Sequence, residues 1–426
     1  MSEYFNPARL VEQMKKIVII GSGIVGICTA VELINRRFSV TLIDPNEPGS
    51  QTSYGNAGVL TDTSLMIINN PQLLRSLFSL IFKKQTSFRY SKLFVFSRLS
   101  WVINFLMFSR KKHMELAAKV LRELQVLSLK THKELIKKTK SNHNIEAPGW
   151  LKVFKTQLSY EKYSYELDIL DKNKAEYTLL NTEEIKKQFP DLQIEYYKGV
   201  LFKNSLRVKS PIELSKNYFK HFVKSGGIFY NEICKDIKFL NGHWTVILNK
   251  KKEIFDEVVI CTGPWSKDFL YKLGYKIPLA WERGYHHQFS TKKEVDLSPA
   301  IHDVDGGFVY SCNKNEIRVT SGVELNFREA DLNEEQINEV VQKLKKILPM
   351  KNKLTKAPWL GSRPTIADSL PMIGKAPKHK NLWFNFGHNH IGLSTSAGSG
   401  VVLADMIENK KTSINVDPFL PNRFML

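Results

Sequence analysis

The sequence predicts an α/β fold: a parallel sheet organised around a nucleotide-binding turn, joined to a second region of α+β character. Residues 15–44, KKIVIIGSGIVGICTAVELINRRFSVTLID, run from a β-branched stretch through a glycine cluster and helical apolar spacing to a second β-branched stretch. Much later, EVVICTGPWS (257–266) repeats the passage from strand into glycine turn. The chain of 426 residues is long enough for two or three domains, and short strands alternate with charged helical stretches between these units.

In the first unit, Lys16 to Ile20 reads as a strand, and Gly21, Gly23 and Gly26 form G-x-G-x-x-G. Gly21 permits the tight turn, Gly23 lets a pyrophosphate approach the backbone, and Gly26 lets the helix pack closely on the strand. Ile24 and Val25 open the helix, whose free N–H groups and positive dipole end suit phosphate. Ser39 to Ile43 is the second strand. Asp44, 18 residues beyond Gly26, is placed to hold a ribose hydroxyl pair. A lone glycine motif is weak, but strand, turn, helix, second strand and acid agree on a Rossmann-like dinucleotide site. The motif does not choose between NAD and FAD.

Hydrophobic content of 42% is ordinary for a soluble domain, whereas the formal charge of +20 is not. No recognised nucleic-acid module accompanies the excess of lysine, so no nucleic-acid partner is predicted. Cys28, Cys234, Cys261 and Cys312 lack metal or redox spacing and read as buried thiols of a reducing compartment; no metal site is expected. The N-terminus has no apolar signal core, and no run of 18 or more uncharged apolar residues predicts a spanning helix, so a cytoplasmic location is expected. Before the glycine unit, Asn6 and Pro7 suit the cap and first position of a short helix.

After the glycine unit, PGSQTSYGNAGVLTDTS (48–64) is a loop by composition. GSGIVG…ID followed by TSYGNAG resembles the FAD-dependent D-amino-acid oxidase superfamily, most of all the bacterial D-amino-acid dehydrogenases of small-subunit type. The resemblance implies that Thr52, Ser53, Asn56, Ala57 and Gly58 lie against the pyrophosphate and flavin of FAD.

Residues 66–112 hold nine Lys or Arg and no Asp or Glu, with apolar clusters at Leu73–Leu74, Leu77–Phe82, Leu93–Phe96 and Trp101–Phe108. Such a segment either lies on an anionic membrane surface, making the protein peripheral at the inner face of the cell membrane, or forms a helical subdomain with solvated lysines, the commoner case. Residues 113–140 place Ala117, Leu121, Leu124 and Leu135 on one helical face. PGWLKVF (148–154) reads as a strand, and NTEEIKKQFP (181–190) as a capped helix closed by Pro190. RVKSPIELSKNYFKHFVKSGG (207–227) reads as a helix with a glycine C-cap, followed by strands in IFYNEICKDIKFL, WTVIL and EVVIC. LAWERGYHHQFS (279–290) is an alternating strand, residues 306–325 a hairpin turning at Asn313–Asn315, and residues 334–348 an amphipathic helix ended by Pro349.

CTGPWS matches a family signature that closes the nucleotide site through Gly263 and Trp265, with Cys261 in place of the usual alanine. Cys234 is the nearest match to the position whose backbone holds adenine. GSRPTIADSLPMIG (361–374) matches G-x-R-P-x-x-x-D-x-x-P-x-I-G, and FGHNHIGLSTSAGSG (386–400) matches the family's Gly-His loop. These imply flavin contacts at Gly361, Gly387, His388, Gly392, Leu393 and Ser394, with Gly398 and Gly400 also permitting close approach. The helix that follows would present its positive end to the flavin.

The resemblance runs from Ile17 to Ile407. It implies a glutathione-reductase-type FAD domain built from 1–65, 202–278 and 359–426. A mixed-sheet substrate domain is inserted from 66–201 and 279–358, including the basic helical segment 66–140. The implied reaction oxidises a D-amino acid or cyclic D-imino acid by hydride transfer to FAD, the imine then hydrolysing to a 2-oxo acid, with electrons passed to a quinone or other acceptor. Rival readings are a glycine- or sarcosine-type oxidase using oxygen, a subunit of a multi-protein dehydrogenase such as D-hydroxyproline dehydrogenase, and a flavin-binding scaffold without catalysis. Arg363 is the candidate for the substrate carboxylate, since a planar fork suits a bidentate partner; its other reading is a structural pair with Asp368. Tyr285 and His286 are candidates for substrate contact or plain sheet residues. His388 and His390 orient substrate, tune the flavin ring or bond to loop backbone, and Arg318 and Glu324 match further polar positions of the dehydrogenases.

Overall fold

Four parallel strands, Ser39–Ile43, Lys16–Ile20, Glu257–Ile260 and Leu382–Phe386, lie side by side in that order in a computed structural model that describes residues 14–73, 87–295 and 297–424. Ile228–Tyr230 extends this sheet in parallel on one side, and Met372–Lys375 closes the other side antiparallel. The strands are buried on both faces, as a parallel sheet covered by helices requires. The expected helix at Asn6 and Pro7 and the cluster Leu77–Phe82 lie outside the described residues.

One face of the sheet is covered by the helix Ile24–Asn35 and the C-terminal helix Gly392–Ile407, which pack on each other, with Lys111–Lys138 against the C-terminal helix. The long helix was expected with the second domain; its apolar stripe, including Ala117, Leu121 and Leu124, is buried in the core that contains the glycine-turn helix. Small residues make this possible. A Cβ on Gly398 would stand 2.7 Å from the Leu124 carbonyl oxygen, and one on Gly400 would stand 3.2 Å from the Cys28 backbone. These two glycines therefore serve helix packing rather than the flavin loop.

The second large sheet is mixed and has eleven strands among the described residues, centred on the long strand Leu279–Thr291. That strand pairs antiparallel with Glu316–Thr320, Val323–Leu325, Met350–Lys353 and Trp359–Ile366. Trp359–Ile366, which carries the SRP signature, is thus hydrogen-bonded into the second sheet although its sequence block was expected with the FAD segments. Trp150–Phe154 joins farther along, beside Ala300–Asp303. Local signals account for several boundaries. Asn181 and Glu184 form a reciprocal capping box on the helix Thr182–Gln188. Ser210 caps the helix Pro211–Lys224, with proline in its first turn and Gly226 beyond its end at φ +94°.

Replacing Gly398 by alanine is expected to lower stability by about 1–3 kcal/mol through overpacking against backbone. Gly400→Ala, with looser contacts, should cost less; thermal midpoints of the two variants check the order.

Candidate functional site: a cavity at the strand ends

Parallel strands end on one edge of a sheet, and the turns that follow them face a common crevice. Here Ile20–Gly21, Ile43–Asp44, Cys261 and Phe386–Gly387 line a cavity of about 1590 Å³ that also reaches the second sheet. Gly21 has φ +107°, and a Cβ there would sit 2.4 Å from the Cys261 carbonyl oxygen. Gly26 does not line the cavity: its Cβ would stand 1.9 Å from the Gly21 oxygen, so it seats the helix under the turn.

Gly23 behaves differently. A Cβ there would meet only Ser53 Oγ, at 3.5 Å, so the space it keeps open belongs to the cavity. Gly263 likewise has nothing within 4 Å of a built Cβ. Ile24, Val25, Asp44, Thr52, Ser53, Asn56, Ala57, Cys234, Trp265, Gly361, His388, Gly392, Leu393 and Ser394 all line the same cavity. Asp44 accepts hydrogen bonds from the Ser22 and Asn46 amides at 2.8 and 2.9 Å, which hold its carboxylate at the end of its strand. The loop at 52–58 is stitched in place: Ser53 Oγ accepts from the Ile24 amide at 3.0 Å, and Thr52 donates to the Ser362 carbonyl at 2.9 Å. Gly58 is the exception. It has φ +79°, its Cβ would stand 2.2 Å from the Val208 oxygen, and it serves the small sheet formed with Leu206–Val208. Ser394 Oγ donates to the Val59 carbonyl and accepts from the Thr61 amide.

An elongated dinucleotide fits this lining. A glycine turn with open space at Gly23 faces one part of the cavity, and the N-terminal end of Gly392–Ile407 faces another. Cavity-lining Asn385 and His388 keep buried side-chain atoms, Oδ1 and Nε2, without a partner among the described residues.

Arg363 also lines the cavity and makes no hydrogen bond or ion pair among the described residues. Its structural alternative fails, because Asp368 is occupied by Arg423 at 2.7 and 3.2 Å. Arg363 lies flat against Gly284, where a Cβ would stand 2.1 Å from its Nη2, so that glycine is required by the arginine. Glu282 stands opposite Arg363 across the paired strands and is buried.

Burial pushes His388 down to about 3, whereas His390 is exposed to the cavity, with Arg363 and Lys152 lowering it further. The His388 ring is therefore neutral at physiological pH. Tyr285 does not line the cavity: its hydroxyl donates to Glu324 and accepts from the Asn333 amide at 3.4 Å. His286 lies one layer back, its ring 5.1 Å from that of Trp359, which does line the cavity, and 5.4 Å from Tyr54. Arg318 donates to the Asn56 carbonyl at 3.3 Å and so supports the loop.

The cavity also exposes Lys152, ion-paired with Glu166, and His302, its neighbour across the paired strands, which stacks on Trp150. Sequence reasoning missed these. The one signal was Trp150 and Lys152 sharing a strand face in PGWLKVF, a polar residue two positions from a large ring.

The sequence profile of the family described as "FAD dependent oxidoreductase" matches residues 16–406. A D-amino-acid oxidase of Bradyrhizobium diazoefficiens is 26% identical over 422 residues, 96% of this chain and 99% of that protein. A D-amino acid dehydrogenase of Helicobacter pylori is 22% identical over 411 residues, with 96% and 99% covered. Among solved structures, glycine oxidase from Geobacillus kaustophilus superposes with a TM-score of 0.76 at 17% identity, over 97% of this chain and all of that one. L-proline dehydrogenase from P. horikoshii gives 0.76 at 19% identity, over 96% and 98%. With the glycine turn, the cavity and the flavin loop in this arrangement, the chain belongs to the FAD dependent oxidoreductase family and uses FAD.

Proposed function

We propose that this enzyme oxidises the Cα–N bond of an amino acid, of D configuration or a cyclic D-imino acid, and that Arg363 binds the substrate carboxylate. The observation that carries this reading is the free guanidinium of Arg363 in the same cavity as Gly387 and His388. The relatives named for D-amino acids support the substrate class. FAD, when bound, supplies the acceptor for the hydride leaving Cα.

The chain's own residues orient and exclude. Arg363 offers two parallel N–H groups to a carboxylate, a geometry lysine does not reproduce. Glu282 faces it from the neighbouring strand and steadies its charge. Gly284 lets the guanidinium lie flat on the sheet, and Trp359, backed by His286 and Tyr54, walls the cavity. Because His388 is held neutral, it adds no positive charge that would repel the substrate ammonium or disfavour its loss of a proton. For the electron acceptor, a membrane quinone is the reading favoured over oxygen, because residues 66–112 combine apolar clusters with bases alone.

Anaerobic mixing with a panel of D- and L-amino acids should bleach the flavin with D-amino or D-imino acids; bleaching by none would remove the function. Release of peroxide in air, without reduction of an artificial quinone, would replace the dehydrogenase by the oxidase. Arg363→Ala is expected to raise KM on the order of 10²-fold, equivalent to the about 2–5 kcal/mol of a truncated charge pair, with FAD still bound. Arg363→Lys should restore little, and an unchanged KM would exclude the role.

The Glu282 carboxyl is pushed up to about 7 by burial, against the pull of Arg363. The folded state therefore holds this proton more tightly than the unfolded chain, whose carboxyl titrates near 4.5. Stability from this group falls as pH rises from 4.5 to about 7, and the full cost of the buried charge is present above that. Glu282→Gln should thus gain thermal midpoint relative to wild type as pH rises through this window. A constant difference between the two proteins would contradict the assignment.

A further inference from the structure

Two short helices, Lys92–Ser97 and Leu99–Met107, divide their apolar residues between two sides. Phe94, Trp101 and Phe105 point inward. Phe94 packs edge-on against Phe327, with ring centres 5.3 Å apart, and Trp101 stacks on Phe105 at 4.7 Å. At the junction between the helices, Arg98 lies over the Trp281 ring at 5.4 Å. The pair is thus pinned to the body of the protein by rings and a cation. Its outer side carries Leu93, Phe96, Leu99, Ile103 and Met107, exposed by 70, 75, 52, 50 and 53%. Exposed single apolar residues are ordinary, but five large ones at spacings of three and four form a stripe.

The charges that flank the stripe along the chain have one sign. Lys92 precedes it, Arg110, Lys111 and Lys112 follow it, all four exposed, and no Asp or Glu occurs between Asp62 and Glu115. No helix among the described residues is long and apolar enough to cross a membrane, so the stripe is suited to lie on a bilayer rather than span it. A second copy of the chain is a poor occupant, because both ends of the stripe are basic and any pairing of two copies sets bases against bases. The same stretch also reaches the cavity: Met66, Ile67, Ile68, Leu73 and Phe88 line it. Arg328 lies over both Trp281, beside Arg98, and Trp265 of the cavity wall, at 5.4 and 5.3 Å.

We propose that the outer face of residues 92–112 docks on an anionic phospholipid surface, with Leu93, Phe96, Leu99, Ile103 and Met107 entering the headgroup–acyl boundary and Lys92, Arg110, Lys111 and Lys112 meeting the phosphates. The cavity-lining strand residue Phe88 lies just before this face in the chain, so docking brings that part of the cavity wall toward the bilayer, where a lipid-soluble acceptor is found. That use of the face rests on the amine-oxidising function above; lipid binding itself does not.

The test is flotation of the FAD-loaded full-length protein with vesicles of phosphatidylcholine alone or of phosphatidylcholine with phosphatidylglycerol, at low and high salt. Wild type should float with the anionic vesicles at low salt, and less at high salt. Phe96→Ser combined with Ile103→Ser, and separately Lys111→Glu combined with Lys112→Glu, should each reduce flotation at least tenfold. Both variants should keep wild-type flavin content and wild-type reduction of a soluble dye by substrate. Absence of flotation on anionic vesicles, equal flotation on neutral ones, or flotation of the serine variant like wild type would each overturn the proposal. So would a dimer by light scattering that the serine variant alone dissociates, since the face would then be a contact between copies. Flotation by a protein whose flavin no amine reduces would leave the docking face standing and remove only the amine-oxidising function.

Discussion

The close approach at Gly21 is the constraint on which the remainder depends. Without a Cβ at this residue, the turn after the first strand can rest against the Cys261 carbonyl, and Gly26 can slide under the turn. Strands more than two hundred residues apart in sequence are thereby held in register, Ile20 opposite Ile260, with their ends on one edge. The crevice at that edge exists because nothing larger fills it. The C-terminal helix completes the same assembly. Arg36 at the end of the first helix binds Glu32, Asp405 and Glu408, which ties the two helices together across nearly the whole chain. His132 from the long helix bonds the Leu393 carbonyl at 2.9 Å and is pushed down to about 4 by burial, so it acts there as a neutral ring. The helix Gly392–Ile407 is therefore held near its end by the first helix and at its start by the long one.

Against this frame, the part of the cavity beside Arg363 is built from strands rather than loops. Arg363 and Glu282 belong to neighbouring antiparallel strands, so their opposition is fixed by ladder hydrogen bonds and not by flexible side chains alone. A buried carboxylate beside a buried guanidinium carries a large desolvation cost, which is why Glu282 titrates near neutrality. The arrangement leaves Arg363 without a hydrogen-bonded partner of its own. Under the proposed function, an incoming carboxylate would satisfy donors that the protein does not, and affinity would follow from an incompleteness in the site.

The glycine motif, the SRP block and the Gly-His loop were legible because their requirements are local: a positive φ, a missing Cβ, a helix start. The cap at Asn181 and the glycine that follows the helix Pro211–Lys224 were legible for the same reason. Side-chain direction on the long strand Leu279–Thr291 was not. Nearly every residue of it is buried, since elements cover both faces, so alternation no longer separates an inner from an outer side. Gly284 faces the cavity while its neighbour Tyr285 turns to Glu324, and nothing in RGYHH distinguishes them. Lys152 and His302 were missed because their meeting depends on which strands become neighbours, Trp150–Phe154 and Ala300–Asp303, about 150 residues apart. The periodicity of Lys111–Lys138 showed an apolar face but not the helix that would cover it.

The basic segment shows the opposite failure, a pattern with too many solutions. Between Lys92 and Met107, two sets of apolar residues each have helical spacing: Phe94, Trp101 and Phe105, and Leu93, Phe96, Leu99, Ile103 and Met107. Periodicity alone gives the second set the stronger claim to the core, since it is the longer and more regular. Phe94 turns inward to the rings of Trp281 and Phe327, a tertiary fact with no local trace, and Trp101 and Phe105 stack on each other in the same core. Leaving the longer stripe in water forfeits burial worth about 25 cal/mol per Å² of apolar surface. No facing helix of the described chain covers it, and the residues that flank it in sequence supply a single sign of charge. An apolar stripe bounded by bases at both ends is complementary to a surface that is apolar beneath and anionic above, and a phospholipid layer has both properties in that order.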